Sequence, residues 1–138
     1  MKTIIVVGNG MVGYKFCEKF RTKKGNEKFK IIVFGEEPRP AYDRVHLSAF
    51  FENQDAKALE MAPIEWYKEN DITLIVGERV ADINTVDKKI TTAKNKGFSY
   101  DYLVLATGSS AFVPPIKGVE KEGVFVYRTI EDLEDMLA

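Results

Sequence analysis

The chain has 138 residues, 45% hydrophobic and 30% charged, an ordinary globular balance that predicts one domain able to bury a core. Its 20 basic and 21 acidic residues leave a net charge of −1, so no nucleic-acid surface is expected. One cysteine and one histidine exclude an internal disulfide and any Cys/His metal or iron–sulfur site built from this chain alone.

The first apolar run is Ile4-Ile5-Val6-Val7, four β-branched residues that predict a strand buried on both faces. With apolar residues starting at position 4 there is no room for a signal peptide, and no run is long enough to span a membrane. A cytoplasmic protein without membrane contact is expected.

The strand runs into Gly8-Asn9-Gly10-Met11-Val12-Gly13, a G-x-G-x-x-G turn of the dinucleotide-binding type. Gly8 suits the tight turn, Gly10 lets a pyrophosphate approach the backbone, and Gly13 lets the following helix pack close to the sheet. The N–H groups of the helix's first turn have no partner within the helix, and with the helix dipole they favour an anion without needing a lysine. A helix is predicted from Met11 to about Lys24, with Val12, Phe16 and Phe20 toward the sheet and Gly25 ending it. Cys17 lies beside that face as a small packed hydrophobe rather than a reactive thiol. Lys23, Lys24 and Lys28 read as a solvated helix end.

Lys30–Phe34 is a second apolar strand, and Glu36 follows it at about the spacing expected for an acid that binds a ribose. A carboxylate there accepts hydrogen bonds from ribose hydroxyls and repels a 2′-phosphate. Glu37-Pro38-Arg39-Pro40 breaks regular structure, and Ala41–Ser48 continues as a loop entering a short helix, at the sheet end where ligands sit. Arg44 has two readings, a partner for phosphate or adenine and an ordinary surface ion pair. His46 is read as a hydrogen-bonding residue at a helix start in preference to a proton-transfer group, and Asp43 as a cap in preference to a general base.

Residues 53–70 are predicted helical, with Pro63 in a first turn and Trp66 as packing surface. A third strand is expected at Ile72–Val76. From Val80 to Tyr100 three short segments, separated by turns at 85–88 and 94–97, predict an antiparallel meander. Tyr102–Ala106 reads as a further buried strand ending at Thr107-Gly108. Pro114-Pro115 is extended, Val124–Tyr127 suggests a last short strand, and Thr129 caps a helix with acids in its first turn. The predicted fold is α/β, a Rossmann-like doubly wound parallel sheet with an antiparallel meander inserted.

Gly8–Gly13, Glu36, Tyr42–Ser48, Ala106-Thr107-Gly108 and Tyr127–Leu133 together resemble the FAD-dependent pyridine-nucleotide oxidoreductases, in the branch without a redox dithiol. Within that superfamily the chain is similar along its whole length to the N-terminal region of NAD(P)H-dependent nitrite reductase large subunits. The resemblance implies a cofactor-binding set for FAD: Gly8, Gly10 and Gly13 cradling the pyrophosphate, with Asn9, Met11 and Val12 of the same loop, Glu36 at the adenosine ribose, Glu37 next to it in the chain, Arg44 along the nucleotide, Val80 at the adenine edge, and Ala106, Thr107 and Gly108 toward the cofactor's centre. It implies no catalytic residue in this chain. In the complete enzyme it implies hydride transfer from NAD(P)H to FAD and single-electron transfer onward to reduce nitrite to ammonia, with siroheme and an iron–sulfur cluster in domains absent here.

Related rubredoxin and ferredoxin reductases carry a lysine where this chain has Ala49, so a lysine pair at the flavin ring is not expected. The chain alone is expected not to turn over, and the surface left by missing C-terminal domains makes self-association possible. A reductase of the rubredoxin or ferredoxin type, a non-catalytic adenine-dinucleotide module and a piece of an NAD-dependent dehydrogenase are the competing readings.

Overall fold

The computed structural model describes all 138 residues. In chain order its elements are β1 (Lys2–Val7), α1 (Met11–Arg21), β2 (Phe29–Phe34), α2 (Phe50–Asn53), α3 (Ile64–Glu69), β3 (Ile72–Ile75), β4 (Val80–Asn84), β5 (Lys89–Thr92), β6 (Gly97–Ser99), β7 (Tyr102–Leu105) and α4 (Ile130–Leu137). Short 3₁₀ turns precede β2 and flank α2. No helix is long and apolar enough to cross a membrane.

The chain forms two compact units. The larger comprises Met1–Tyr42 and Met61–Gly108, and the smaller Asp43–Glu60 and Ser109–Ala138. In the larger unit an all-parallel sheet has the order β3-β2-β1-β7. Side chains alternate across it. Ile4, Val6, Ile31 and Val33 face one side, where Tyr14 and Cys17 of α1 and Tyr67 of α3 cover them. Ile5, Val7, Ile32 and Phe34 face the other, where the antiparallel sheet β4-β5-β6 covers them with Ile83, Ile90 and Phe98. The meander thus takes the place that a second helical layer would occupy on that face.

The predicted elements are present with four corrections. First, α1 stops at Arg21, with Thr22 as its cap, and Gly25 instead opens the next 3₁₀ turn at φ +81°. Its buried stripe is Gly13, Tyr14 and Cys17, while Val12 is 71% exposed. The close approach at Gly13 turns that residue inward, and Val12, one position earlier, consequently points away from the sheet. Phe16 and Phe20 still pack against the core.

Second, residues 53–70 are not one helix. Gln54 has a positive φ after α2, a 3₁₀ turn follows, and α3 begins only at Ile64 with Pro63 as its cap. Third, β7 is an edge strand with Tyr102 and Leu105 substantially exposed, because β1 is its only neighbour. Fourth, Val124–Tyr127 forms no strand, since no partner strand lies alongside it.

A single arginine ties three elements of the larger unit. Arg21, in the last turn of α1, donates from Nε to the Asn70 carbonyl at 2.8 Å, from Nη2 to Asp71 at 2.9 Å and from Nη1 to Asn26 at 2.8 Å, with longer bonds to Phe29. It satisfies carbonyls at the entrances to β2 and β3 while its charge sits at the favourable end of the helix dipole. In the smaller unit, α4 begins with a capping box: the Thr129 hydroxyl accepts from the Asp132 N–H and the Asp132 carboxylate accepts from the Thr129 N–H.

Candidate nucleotide-binding site

The four parallel strands end in register: Val7 lies opposite Phe34 and Leu105, and Phe34 opposite Ile75. Their exits are then stitched together. Gly8 N–H donates to the Phe34 carbonyl at 2.8 Å, Gly35 to Ile75 at 2.9 Å and Ala106 to Val7 at 2.8 Å. Gly8, Gly35, Glu36, Ala106 and the start of α1 are therefore held along one edge, the carboxyl end of the sheet, where open α/β folds place ligands.

The three motif glycines differ in what requires them. Gly8 has φ +107°, and a Cβ there would lie 2.0 Å from the Ala106 carbonyl oxygen. A Cβ on Gly13 would lie 2.2 Å from the Gly8 carbonyl oxygen and 3.7 Å from Val6. These two are demanded by the chain's own packing. A Cβ on Gly10 would meet nothing within 4 Å. Beyond its place as the N-cap of α1, no packing contact in the protein excludes a side chain at Gly10, and the open space there lies against the N-terminus of α1, which carries no acidic residue in its first turn.

Asn9 adds a directed donor. Its Oδ1 accepts from the Tyr67 hydroxyl at 3.3 Å, while its Nδ2 is buried without a hydrogen-bond partner. A buried, unsatisfied amide donor beside a helix N-terminus has the chemistry of an anion contact. The donor set fits the pyrophosphate of a dinucleotide such as FAD. A Cβ on Gly35 would come within 3.1 Å of Asn9 Cβ, a tight contact that the glycine motif does not signal.

At the end of β2, Glu36 is exposed and forms an ion pair from Oε1 to Arg79 Nε at 3.1 Å. Glu37 accepts a hydrogen bond from the Tyr42 hydroxyl, and its carbonyl accepts from Gly77 N–H at 2.9 Å. Val80 begins β4 and packs its side chain against the Ile5–Phe34 cluster. Thr107 and Gly108 are exposed beyond β7, with Gly108 at φ +66°. Met11 opens α1 partly exposed. Arg79, Gly35 and Tyr67 were not singled out by the sequence, because none belongs to the glycine motif and their roles arise only from contacts across the fold.

Arg44 belongs to the smaller unit, where Nη1 donates to the Arg128 carbonyl at 2.9 Å. In the same unit Asp43 caps the 3₁₀ turn through a bond from Val45 N–H and pairs with His46 Nδ1 at 2.6 Å. That hydrogen bond from His46, aided by the Val45 N–H, holds the Asp43 carboxyl below its ordinary range. Both residues thus do the local work expected of a helix start. Cys17 is fully buried, and burial pushes its thiol up to about 12, as fits a small packed hydrophobe.

A parallel sheet whose first strand opens through a glycine turn into a helix, with an acid closing the second strand, defines the βαβ nucleotide-binding class of fold. Residues 2–138 match the family model for pyridine nucleotide-disulphide oxidoreductases, and the chain belongs to that family. It is 45% identical over 130 residues to the NADH nitrite reductase large subunit of Escherichia coli, covering 94% of this chain and 15% of that protein. It is 39% identical over 138 residues to the NAD(P)H nitrite reductase of Bacillus subtilis, covering 99% of this chain and 17% of that one. Among solved structures, a ferredoxin reductase from Rhodopseudomonas palustris superposes with a TM-score of 0.90 at 25% identity, over 97% of this chain and 33% of that chain. The chain therefore spans about a sixth of the length of the curated relatives it matches.

Proposed function

We propose that this chain is a single FAD-binding segment of an NAD(P)H-dependent flavoprotein oxidoreductase of the nitrite reductase type. The glycine loop, from Gly8 to Gly13 with Asn9, Met11 and Val12, holds the pyrophosphate by backbone N–H groups and the Asn9 amide. Glu36 binds the adenosine ribose, with Glu37 beside it, and Val80 offers backbone to the adenine. Ala106, Thr107 and Gly108 approach the centre of the cofactor and Arg44 lies along the nucleotide. When bound, FAD supplies the exchange between two-electron and one-electron transfer. The chain's residues bind and orient it, and none serves as acid, base or nucleophile.

In the whole protein, electrons from NAD(P)H pass on to centres that reduce nitrite to ammonia, and any siroheme and iron–sulfur cluster lie in other domains. Those C-terminal domains are its principal partners, self-association of the isolated chain belongs to the same proposal, and its location is cytoplasmic. The names of the nitrite reductase relatives support this reading at 39–45% identity. The observation that carries the cofactor assignment is the open space at Gly10 beside the unsatisfied Asn9 amide.

Calorimetric titration with FAD, ADP and NADH tests it. FAD binding tighter than ADP supports the flavoprotein reading, and equal affinity reduces it to an adenylate-binding module. NADH binding without FAD binding would reverse it in favour of a dehydrogenase piece.

A further inference from the structure

Arg79 carries chemistry that the cofactor reading leaves unused. Its Nε sits 3.1 Å from one oxygen of Glu36, and the other oxygen of that carboxylate has no protein partner. Both side chains are 69% exposed, and so open an ion pair adds little to folding stability. Its backbone, however, is fixed on both sides. Gly77 N–H donates to the Glu37 carbonyl at 2.9 Å and Glu78 N–H to the Gly35 carbonyl at 3.0 Å, which ties the residues before Arg79 to the very turn that bears Glu36. Ala93 N–H donates to the Arg79 carbonyl at 2.8 Å, which ties Arg79 to the meander. The neighbouring Glu78 side chain is buried, with Oε1 3.8 Å from both Lys94 and Lys96, so its charge belongs to the meander while the Arg79 guanidinium faces outward onto Glu36.

We propose that Arg79 is a positioning residue for the nucleotide ribose: it engages one oxygen of Glu36 and leaves the other directed at the ribose hydroxyls. This inference rests on the nucleotide-binding reading and adds to it a residue outside the glycine motif. An unrestrained glutamate on a turn loses rotamer freedom when it binds, which weakens the ligand. A planar guanidinium carried on a hydrogen-bonded stretch of backbone restricts the carboxylate beforehand and sets its direction.

The test compares ADP with 2′,3′-dideoxy-ADP, which lacks the hydroxyls that Glu36 would receive, in calorimetric titrations of the wild-type chain and of Arg79→Gln, Glu36→Ala and the double variant. The wild type is expected to prefer ADP by about tenfold, as one charge-assisted hydrogen bond allows. Arg79→Gln and Glu36→Ala should each reduce that preference to about twofold or less, and the double variant should fall no further than Glu36→Ala alone. A role confined to the fold would weaken both nucleotides in parallel, and an unchanged preference in Arg79→Gln, or one that falls there while Glu36→Ala retains it, overturns the inference. Equal wild-type binding of the two nucleotides overturns the ribose role of Glu36 and this inference together while leaving the phosphate loop standing. Binding of neither overturns all three.

Discussion

The contrast between Gly8 and Gly10 separates what the fold needs from what a ligand needs. Alanine at Gly8 must adopt φ +107°, which costs a residue with a Cβ about 1–3 kcal/mol. Its Cβ would also stand 2.0 Å from the Ala106 carbonyl oxygen, whose residue is bonded to Val7 at 2.8 Å, so relief requires prising the β7 exit away from β1. Together these predict a loss of about 3 kcal/mol or more, a large share of the roughly 5–15 kcal/mol that holds a domain folded. At Gly10, φ −91° and ψ −162° suit any residue and the space is open, so Gly10→Val should cost about 1 kcal/mol, mainly as a poorer helix cap. In urea unfolding followed by circular dichroism, Gly8→Ala should lower the midpoint by about 1–3 M, and Gly10→Val by well under 1 M. Gly10→Val should nevertheless abolish FAD binding, because its methyl groups would occupy the proposed phosphate position. Equal midpoints for the two variants would overturn the packing role of Gly8, and a folded Gly10→Val protein with undiminished FAD affinity would overturn the phosphate role of Gly10.

Arg21→Ala removes charged bonds to carbonyls at the entrances of β2 and β3 and should destabilise the chain by about 2–4 kcal/mol, with Arg21→Lys recovering little because one ammonium cannot reach all of them; a midpoint shift near zero would sink that role. Thr129→Ala should cost about 1 kcal/mol by opening the capping box of α4, read by the same unfolding assay. Stability should also fall at alkaline pH. Burial raises the folded Cys17 thiol from 9.0 to about 12, so its stabilisation is complete below pH 9 and is lost as pH rises toward 12, at up to about 1.4 kcal/mol per unit. Tyr14, raised to about 12 by burial and by its bond to Glu18, acts in the same direction, and Cys17→Ala should flatten the slope measurably. Glu36→Ala should weaken FAD by about 1.5–3 kcal/mol in calorimetry, and an unaffected variant would remove the ribose assignment.

Much of this arrangement was legible in the sequence because it is local. The alternation of Ile4-Ile5-Val6-Val7 sets both faces of the central strand, the glycine spacing sets the turn and helix start, and the turn residues at 85–88 and 94–97 set the meander. What periodicity misjudged depends on neighbours. Val12 belongs to an apolar i, i+4 series, yet the close contact at Gly13 rotates the buried stripe past it. Tyr102–Leu105 looks like a core strand but has a partner on one side only. The site shows the same division. Gly8, Gly10, Gly13 and Glu36 announce themselves by spacing, whereas the Tyr67 hold on Asn9 and the Arg79 hold on Glu36 join residues 58 and 43 positions apart and carry no local signal.

Whether the N-terminus of α1 receives a dinucleotide pyrophosphate can be read from amide chemical-shift mapping of this 15.6 kDa chain during FAD titration. The largest shifts should fall on the backbone N–H groups from Asn9 to Gly13 and on the Asn9 side-chain amide, with the smaller unit affected less. Saturable FAD binding that leaves those signals unmoved would contradict it.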